Sequence, residues 1–425
     1  MNDRIRHRHT PRLTLALLAA ISTCGFIDRV VMNVLAQPIK QEFQLTDTEV
    51  AMIAGLAFSA LNALLGIWVA RFAERGNRIR FVWIGTIAWS AATALCGLAN
   101  GFVSLLLARV SVGVGEAVGL PAAASAVSDC FPREKRTTAV SVMQLAPPIG
   151  AFLGATFGGM IAQAWGWRHA FWIAAAPGIV LALLLIVFVR EPERGRFDDP
   201  ARIDEVPSFG AVLGRLWGWR SLRHLLIGST VASAVGFGLN GFLAAWLTRR
   251  FGLNFGEAGI AVGLLTVPSI LGVAGSGWLA DRLGRRDSRW YPLIPGITLL
   301  ASAPLYVAAV TQGAPAAAIA LLGGAALVQY CYLGITAGMF QNMMHPRMRA
   351  SSVAVTGLVY SVIGGGLGPL LLGRLSDHFA PDATPAGSAA GLGMALAVMA
   401  FGYLWAALHY LWATRYVREE LARRI

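Results

Sequence analysis

Charge is scarce in this chain. Only 13% of its 425 residues are Asp, Glu, Lys or Arg, about half the usual share of a soluble domain, which excludes a water-facing globule of this size. Lysine is nearly absent, with Lys40 and Lys135 alone among 35 basic residues; this is a compositional bias with no bearing on substrate. The four cysteines (Cys24, Cys96, Cys130, Cys331) have no metal-ligand spacing and lie within or at the ends of apolar stretches, which leaves them a packing role. Histidine is confined to loops and the ends of apolar runs, with His409 near the end of the last run. A metal-ligand cluster, a nucleophile with a base and a phosphate-binding loop are all lacking. The chain is therefore expected to be no enzyme, to need no cofactor or metal, and to use no ATP.

What is abundant is apolar: 56% of the residues are hydrophobic. Twelve stretches reach the length of about 20 residues needed to cross a bilayer, from residues 13–36 to 388–413. Each should be a helix, because backbone facing lipid must satisfy its own hydrogen bonds. The net charge of +13 would hint at nucleic acid in a soluble protein, but its distribution argues for a membrane. With the chain starting in the cytosol, 28 of the 35 basic residues fall in cytosolic segments, and only Lys40, Arg168, Arg249, Arg250 and Arg374 fall on the other side. The positive-inside rule then puts both termini in the cytosol. The first run exceeds a signal-peptide core and carries Asp28-Arg29 without a convincing cleavage site, so it is read as a retained first span.

A polar stretch divides the spans six and six. It predicts a first bundle over residues 1–189, a linker over 190–223 and a second bundle over 224–425. Within the linker, Phe209, Val212, Leu213, Leu216 and Trp217 fall at helical spacing beside Arg215, Arg220 and Arg223; this suits an amphipathic helix on the inner leaflet, or equally a lead-in to the seventh span.

The chain also reads as a duplication. Gly277-Trp278-Leu279-Ala280-Asp281-Arg282-Leu283-Gly284-Arg285-Arg286 ends the eighth span, and Ala70-Arg71-Phe72-Ala73-Glu74-Arg75-Gly76-Asn77-Arg78 ends the second, 207 residues earlier. Phe43-x-Leu45-Thr46-x-x-Glu49 before the second span recurs as Phe251-x-Leu253-Asn254-x-x-Glu257 before the eighth, and both are capping boxes that start helices. Pro132-x-x-x-Arg136 and Pro346-x-x-Arg349 are a third echo. Charged turns at matching places in two apolar halves point to two bundles that rock about a midplane site.

On these residues the chain resembles the major facilitator superfamily over all twelve spans. The turn at Gly277 to Arg286 has the family's cytosolic loop pattern, and the first copy departs from it at Ala70, Glu74 and Asn77. The resemblance implies an all-α membrane protein of two pseudo-symmetric six-helix bundles. It also implies a cytosolic gate of Glu74, Arg75, Arg78, Asp281, Arg282 and Arg285, with Arg136 and Arg349. Shifting a two-state equilibrium from one extreme to the other takes about 5.5 kcal/mol, and an exposed ion pair gives only about 0–1, so the gate is expected to be a network that includes a helix dipole. Phe26-Ile27-Asp28-Arg29, Arg109-x-x-x-Gly113-x-Gly115-Glu116, Ser128-Asp129-x-Phe131-Pro132, Gly166-Trp167-Arg168, Arg190-Glu191-Pro192 and Gly366-Leu367-Gly368-Pro369 are similar to the spinster-like branch. Ser361 stands where relatives often carry Asn. The branch implies proton-linked movement of lysophospholipids or sphingoid lipids, in a protein of the bacterial inner membrane that works as a monomer.

Asp28, Arg29, Arg109 and Glu116 are the charges deep within spans. Each costs at least about 2.5–3.5 kcal/mol at the bilayer centre, so such residues pair, face the bundle interior and serve transport. Arg109 and Glu116 are seven residues apart, on one helix face about 10 Å apart along the axis, and the depth of Asp28-Arg29 permits crossed pairs. Two readings stay open: a carboxylate that takes a proton when its arginine is withdrawn, or a permanently ionised set that joins spans 1 and 4. Asn62, Gln144, Asn240, Gln341 and Tyr360 are further polar groups expected at the cavity, although interhelical hydrogen bonding would also account for them. Gly150, Gly154 and Gly158, and Gly364 to Gly366 with Gly368 and Pro369, mark close helix contacts that slide. The expected activity is secondary active transport of an amphipathic substrate, coupled to protons. A small organic anion held by Arg29 or Arg109 is the rival substrate, and a receptor that moves nothing is the rival class.

Overall fold

The computed structural model describes residues 11–56, 58, 59, 62, 65, 76–132, 139, 142–193, 209–344, 348–382 and 384–422. Every regular element among them is helical. Ten helices are long and apolar enough to cross a membrane. Most of the second apolar stretch lies outside the described residues, and the fifth forms a 20-residue helix, Ala146–Trp165, whose glycines and prolines dilute its hydropathy.

In chain order the first half contains α1 (Pro11–Val34), α2 (Ala36–Phe43), α3 (Asp47–Ala51) running into a π-helical turn (Met52–Leu56), α4 (Arg78–Cys96), α5 (Phe102–Cys130), α6 (Ala146–Trp165) and α7 (Trp167–Phe188). Local chemistry sets the breaks. Pro147 and Pro148 occupy the first turn of α6, where the missing amide hydrogen leaves no helical bond unmade. Gly166 ends α6 at φ 87° and opens α7 at the next residue, a backbone region that a side chain rarely tolerates. Thr46 and Glu49 form the expected capping box at the start of α3.

The second half contains α8 (Phe209–Gly218), α9 (Arg220–Phe251), α10 (Phe255–Leu264), α11 (Thr266–Gly284), α12 (Trp290–Val310), α13 (Pro315–Gln329), α14 (Tyr332–Met343) and α15 (Arg349–Val359). A π-helical stretch (Tyr360–Leu367), α16 (Gly368–Phe379), α17 (Pro385–Ala400) and α18 (Gly402–Ala422) complete it. The amphipathic linker segment is the helix α8: Val212 and Leu216 are fully buried, whereas Leu213 and Trp217 are exposed.

The described residues pack as two compact units. One comprises those within Met1–Leu45, Ala57–Ile203 and Phe255–Ile260; the other comprises Thr46–Leu56, Asp204–Asn254 and Ala261–Ile425. Each unit thus takes in one short strap from the opposite half of the sequence; the first begins at the Thr46 capping box, the second at Phe255, next to Asn254.

Within the first unit, the glycine row of α6 fixes the depth of α1. A methyl group on Gly154 would lie 2.8 Å from the carbonyl oxygen of Ile27, and one on Gly150 would lie 2.8 Å from that of Thr23. Backbone cannot yield as a side chain tip can, so only glycine lets α1 come this close. On the opposite side, α7 leaves Val180, Leu183, Ile186 and Val187 exposed, an apolar face that suits lipid and not water.

Candidate functional site

The four intramembrane charges meet inside the first unit, as crossed pairs. Arg109 on α5 donates from Nη1 to Asp28 Oδ2 on α1 at 2.7 Å, and Thr93 on α4 donates to Asp28 Oδ1 at 2.8 Å. Arg29, one residue on, donates from Nε to Glu116 Oε2 at 2.9 Å. Consecutive residues on a helix point about 100° apart; α1 therefore sends its anion to one partner on α5 and its cation to another, seven residues further along. Phe58 lies beneath both guanidinium groups, with its ring centre 4.8 Å from Arg29 and 5.4 Å from Arg109, and Phe26 flanks Arg29 at 5.0 Å.

The two pairs are not equivalent. Asp28 and Arg109 are wholly buried, and both oxygens of Asp28 are engaged. Glu116 is also buried, but the Arg29 side chain is 31% exposed, and Glu116 Oε1 has no hydrogen-bond partner among the described residues. Gly25 on α1 faces that oxygen, and a methyl group there would make an ordinary contact with it at 3.5 Å. Arg109 Nε and Nη2 are likewise buried without a hydrogen-bond partner among the described residues, so the pairs differ in exposure: one is wholly enclosed, while the other joins a buried carboxylate to an arginine that reaches solvent. Thr93, Phe58 and Gly25 carry no signal in the sequence, because a threonine, a phenylalanine and a glycine in apolar helices are ordinary.

The described gate residues are shared between the two units. Glu74, Arg75 and Arg136 lie outside the described residues, as does the side chain of Arg349. Arg78 is spoken for inside the first unit: it is buried, pairs with Asp129, donates from Nε to Glu191 at 2.6 Å and reaches the carbonyl of Pro192 at 3.0 Å. Placed by sequence in a gate, it is a knot that ties the starts and ends of α4, α5 and α7. In the second unit Asp281, Arg282 and Arg285 are exposed. Asp281 borders a cavity of about 270 Å³ with Gly277, Tyr291, Gly338 and Asn342.

Of the other polar candidates, Asn62 points its amide at the carbonyl of Gly113 at 3.4 Å. Gln144 and Gln341 are exposed. Asn240 and Tyr360 are half-buried within the second unit. Asn240 donates to the carbonyl of Gly236 at 2.6 Å and to the Tyr330 hydroxyl at 3.1 Å, and Tyr360 donates to Ser229 at 2.7 Å.

A second charged cluster was not anticipated. In the second unit Arg249, near the end of α9, makes a two-pronged pair with Asp47, each nitrogen 2.6 Å from its oxygen, and both side chains are buried. Ser376 donates to Asp47 at 2.6 Å. Asp377 accepts from the backbone amides of Asp47 and Thr48 at 2.9 and 2.8 Å, so α16 caps the first turn of α3. The hint in the sequence is Arg249 itself, one of the few cations outside the expected cytosolic segments. At the other strap, Gly159 of α6 packs against the backbone of Phe255 and Gly259, and Gln163 accepts from the Phe255 amide at 3.2 Å.

At the same expected outer end of the first unit, Glu42 accepts from Trp167 Nε1 at 2.7 Å and Arg168 Nη1 at 2.9 Å. These bonds, Arg168 first, hold its carboxyl below the usual carboxylate range.

Comparison with known proteins agrees with this architecture. The Major Facilitator Superfamily profile matches residues 17–369. An MFS-type efflux pump of Mycolicibacterium smegmatis (strain ATCC 700084 / mc(2)155) is 33% identical over 425 residues, covering 97% of this chain and 95% of its own. The sphingosine-1-phosphate transporter SPNS2 of Danio rerio is 25% identical, covering 87% of this chain and 76% of its own. A crystal structure of a bacterial homolog to the human lysosomal transporter Spinster, inward-facing and unoccupied, superposes with a TM-score of 0.88 at 29% identity and covers 96% of this chain and 98% of its own. The chain is an integral, multi-pass membrane transporter, not an enzyme, and it belongs to the major facilitator superfamily, in its spinster-like branch.

Proposed function

We propose that the chain is a proton-linked secondary transporter of an amphiphile with an anionic head, working as a monomer by alternating access, with Arg29 and Glu116 as the coupling pair. The observation that carries this is the asymmetry of the two ion pairs. A substrate anion that engages the partly exposed Arg29 competes with Glu116 for the same guanidinium. Glu116 is then a lone carboxylate in a low-dielectric site, and neutralisation by a proton removes the cost of its charge. Anion on Arg29 and proton on Glu116 therefore favour each other, and this linkage is reciprocal, so the two travel together. The rings of Phe26 and Phe58 beside Arg29 offer apolar contact next to the charge. The SPNS2 relative, named as a sphingosine-1-phosphate transporter, supports the choice of a lipid with an anionic head. A small organic anion is the second reading, favoured by the same exposed Arg29.

Alternating access requires release of the strap Thr46–Leu56, with its Asp47–Arg249 pair, in one state and release of the turn around Asp281 in the other. The arginine-rich loops support placing both termini, and that turn, on the cytosolic side of a bacterial inner membrane.

The test reconstitutes wild type and Glu116→Gln in liposomes and follows labelled lysolipids and small carboxylates with and without a pH gradient. Wild type should bind the anionic lysolipid more tightly as pH falls and accumulate it on an inward proton gradient; Glu116→Gln should bind it independently of pH and ignore the gradient. Uptake that is insensitive to the gradient and equal in both proteins would leave facilitated diffusion and demote the cluster to a scaffold. Competition by small carboxylates alone would select the second reading.

A further inference from the structure

A cavity of about 520 Å³ lies in the first unit where α4 begins and α7 ends, lined by Asn77, Arg80, Trp83, Ile186, Arg190 and Glu191 among others. This is the end of the helices that leads to the arginine-rich loops. Its acidic group is already used: Glu191 accepts from Arg78 Nε at 2.6 Å and from the Ile79 amide at 2.9 Å. Arg80 and Arg190 are exposed and form no ion pair among the described residues. The start of α4, capped by Asn77, adds the positive end of a helix dipole. Glu193, the nearest other acid along the chain, is exposed beyond the cavity. The cavity therefore presents two uncompensated guanidinium groups.

Its surroundings say what kind of anion fits. Immediately toward the membrane, Ile186 is 44% exposed, Val187 57% and, on α4, Ile84 40%, so an open apolar face runs directly up to the two arginines. Trp83 is half-buried on the wall, the position an interfacial aromatic takes at head-group height. A basic pocket continuous with an exposed apolar face matches a molecule with a phosphate at one end and acyl chains at the other.

We propose that this cavity binds the head group of an anionic phospholipid from the adjoining leaflet, with Arg80 and Arg190 on the phosphate and the acyl chains along Ile84 and Val187. The site is separate from the Arg29–Glu116 pair. It sits on the Arg78 knot, since Arg190 is next to Glu191 just past the end of α7 and Arg80 is two residues from Arg78 on α4, so an occupied pocket braces the helix ends that this knot ties.

The experiment follows thermal unfolding of the full chain in a neutral detergent while phosphatidylglycerol, phosphatidylcholine or inorganic phosphate is titrated in, for wild type, Arg80→Gln/Arg190→Gln, Arg80→Lys/Arg190→Lys and Arg250→Gln as a surface control. A cation near an anionic leaflet contributes roughly a factor of five in affinity. The double glutamine variant should therefore bind phosphatidylglycerol roughly 25-fold more weakly, whereas the lysine pair and Arg250→Gln keep the wild-type response. Phosphatidylcholine should stabilise all four proteins alike. An unchanged phosphatidylglycerol response in the glutamine variant would overturn the proposal, and so would a lysine pair as impaired as the glutamine pair. Inorganic phosphate that protects as well as the lipid at equal concentration would assign the pocket to a free anion and overturn the lipid reading.

Discussion

Asp28 and Arg29 are neighbours in the chain with opposite consequences. Removing the charge of Asp28 leaves Arg109 buried without its counter-ion, and an arginine cannot shed its proton; breaking such a pair costs about 3–5 kcal/mol. Removing Arg29 strands Glu116, which can take up a proton and become neutral. Asp28→Asn should therefore lower the yield and unfolding temperature sharply, while Arg29→Gln leaves a folded protein that no longer responds to a proton gradient. Equal destabilisation by the two substitutions would count against the assignment of anchor and coupling pair. Glu42 gives a residue-scale pH effect outside the membrane spans. Its carboxyl is held below its ordinary 4.5 by Arg168 and then Trp167. A depressed carboxylate contributes stability that is present above its unfolded value and is lost as pH falls through the folded one. The tie between α2 and α7 should thus loosen on acidification below about 4.5, and Glu42→Gln should flatten that part of a stability profile against pH.

At the scale of elements, helix ends and straps decide the behaviour. The short motif Gly166-Trp167-Arg168 acquires a physical meaning: the glycine turns the chain so that the two following side chains reach Glu42. Glu191 and Pro192 of the Arg190-Glu191-Pro192 motif, with Asp129, likewise become the partners of Arg78. The strap Thr46–Leu56 depends on Asp47, whose two-pronged partner Arg249 is buried with it. Asp47→Asn and Arg249→Gln should each weaken its hold and favour the state in which the strap is released, read as increased labelling of a cysteine placed at Thr48. Exchanging the two charges, Asp47→Arg with Arg249→Asp, should restore part of the protection. If the exchange labels as fast as the single variants, the pair does not hold the strap. The strap's second half offers no slack, because a methyl group on Gly55 would lie 2.7 Å from the carbonyl oxygen of Gly365. Two π-helical stretches meet there, in the helices that carry Gly55 and Gly365, and such turns are often found at functional sites.

At the scale of the whole molecule, the two halves divide the chemistry. The buried ionised cluster on α1 and α5 belongs to the first unit. All eight tyrosines lie in the second half, from Tyr291 to Tyr416, and several share neutral bonds in its interior: Tyr306 and Tyr403 both donate to Gln329 at 2.8 Å, and Asn240 reaches Tyr330. Neutral bonds among hydroxyls and amides such as these can discriminate substrates but do not themselves carry a proton cycle at ordinary pH. Asn240→Ala and Tyr330→Phe should change KM by about 2- to 15-fold, the range of one hydrogen bond, and leave the pH dependence of uptake intact. A shift in that pH dependence would place coupling in the second unit as well.

Much of this was legible before any coordinates. Hydropathy and length are sums over neighbouring residues, so a bilayer-spanning all-helical chain, its duplication and the four intramembrane charges follow from the sequence alone. Spacing also put Arg109 and Glu116 on one face of a helix, because helical periodicity is local. The choice of partners is not local. Whether Asp28 meets Arg109 while Arg29 meets Glu116 depends on how far α1 is rotated and how deep the glycine row of α6 lets it sit, and a rotation of one residue would set like charges against each other. The burial of Arg78 within one unit, the union of Asp47 with Arg249 across 202 residues and the difference in exposure between Arg29 and Arg109 were decided only by tertiary packing. Side-chain pairing requires ångström placement of several helices at once, and no stretch of sequence carries that information by itself.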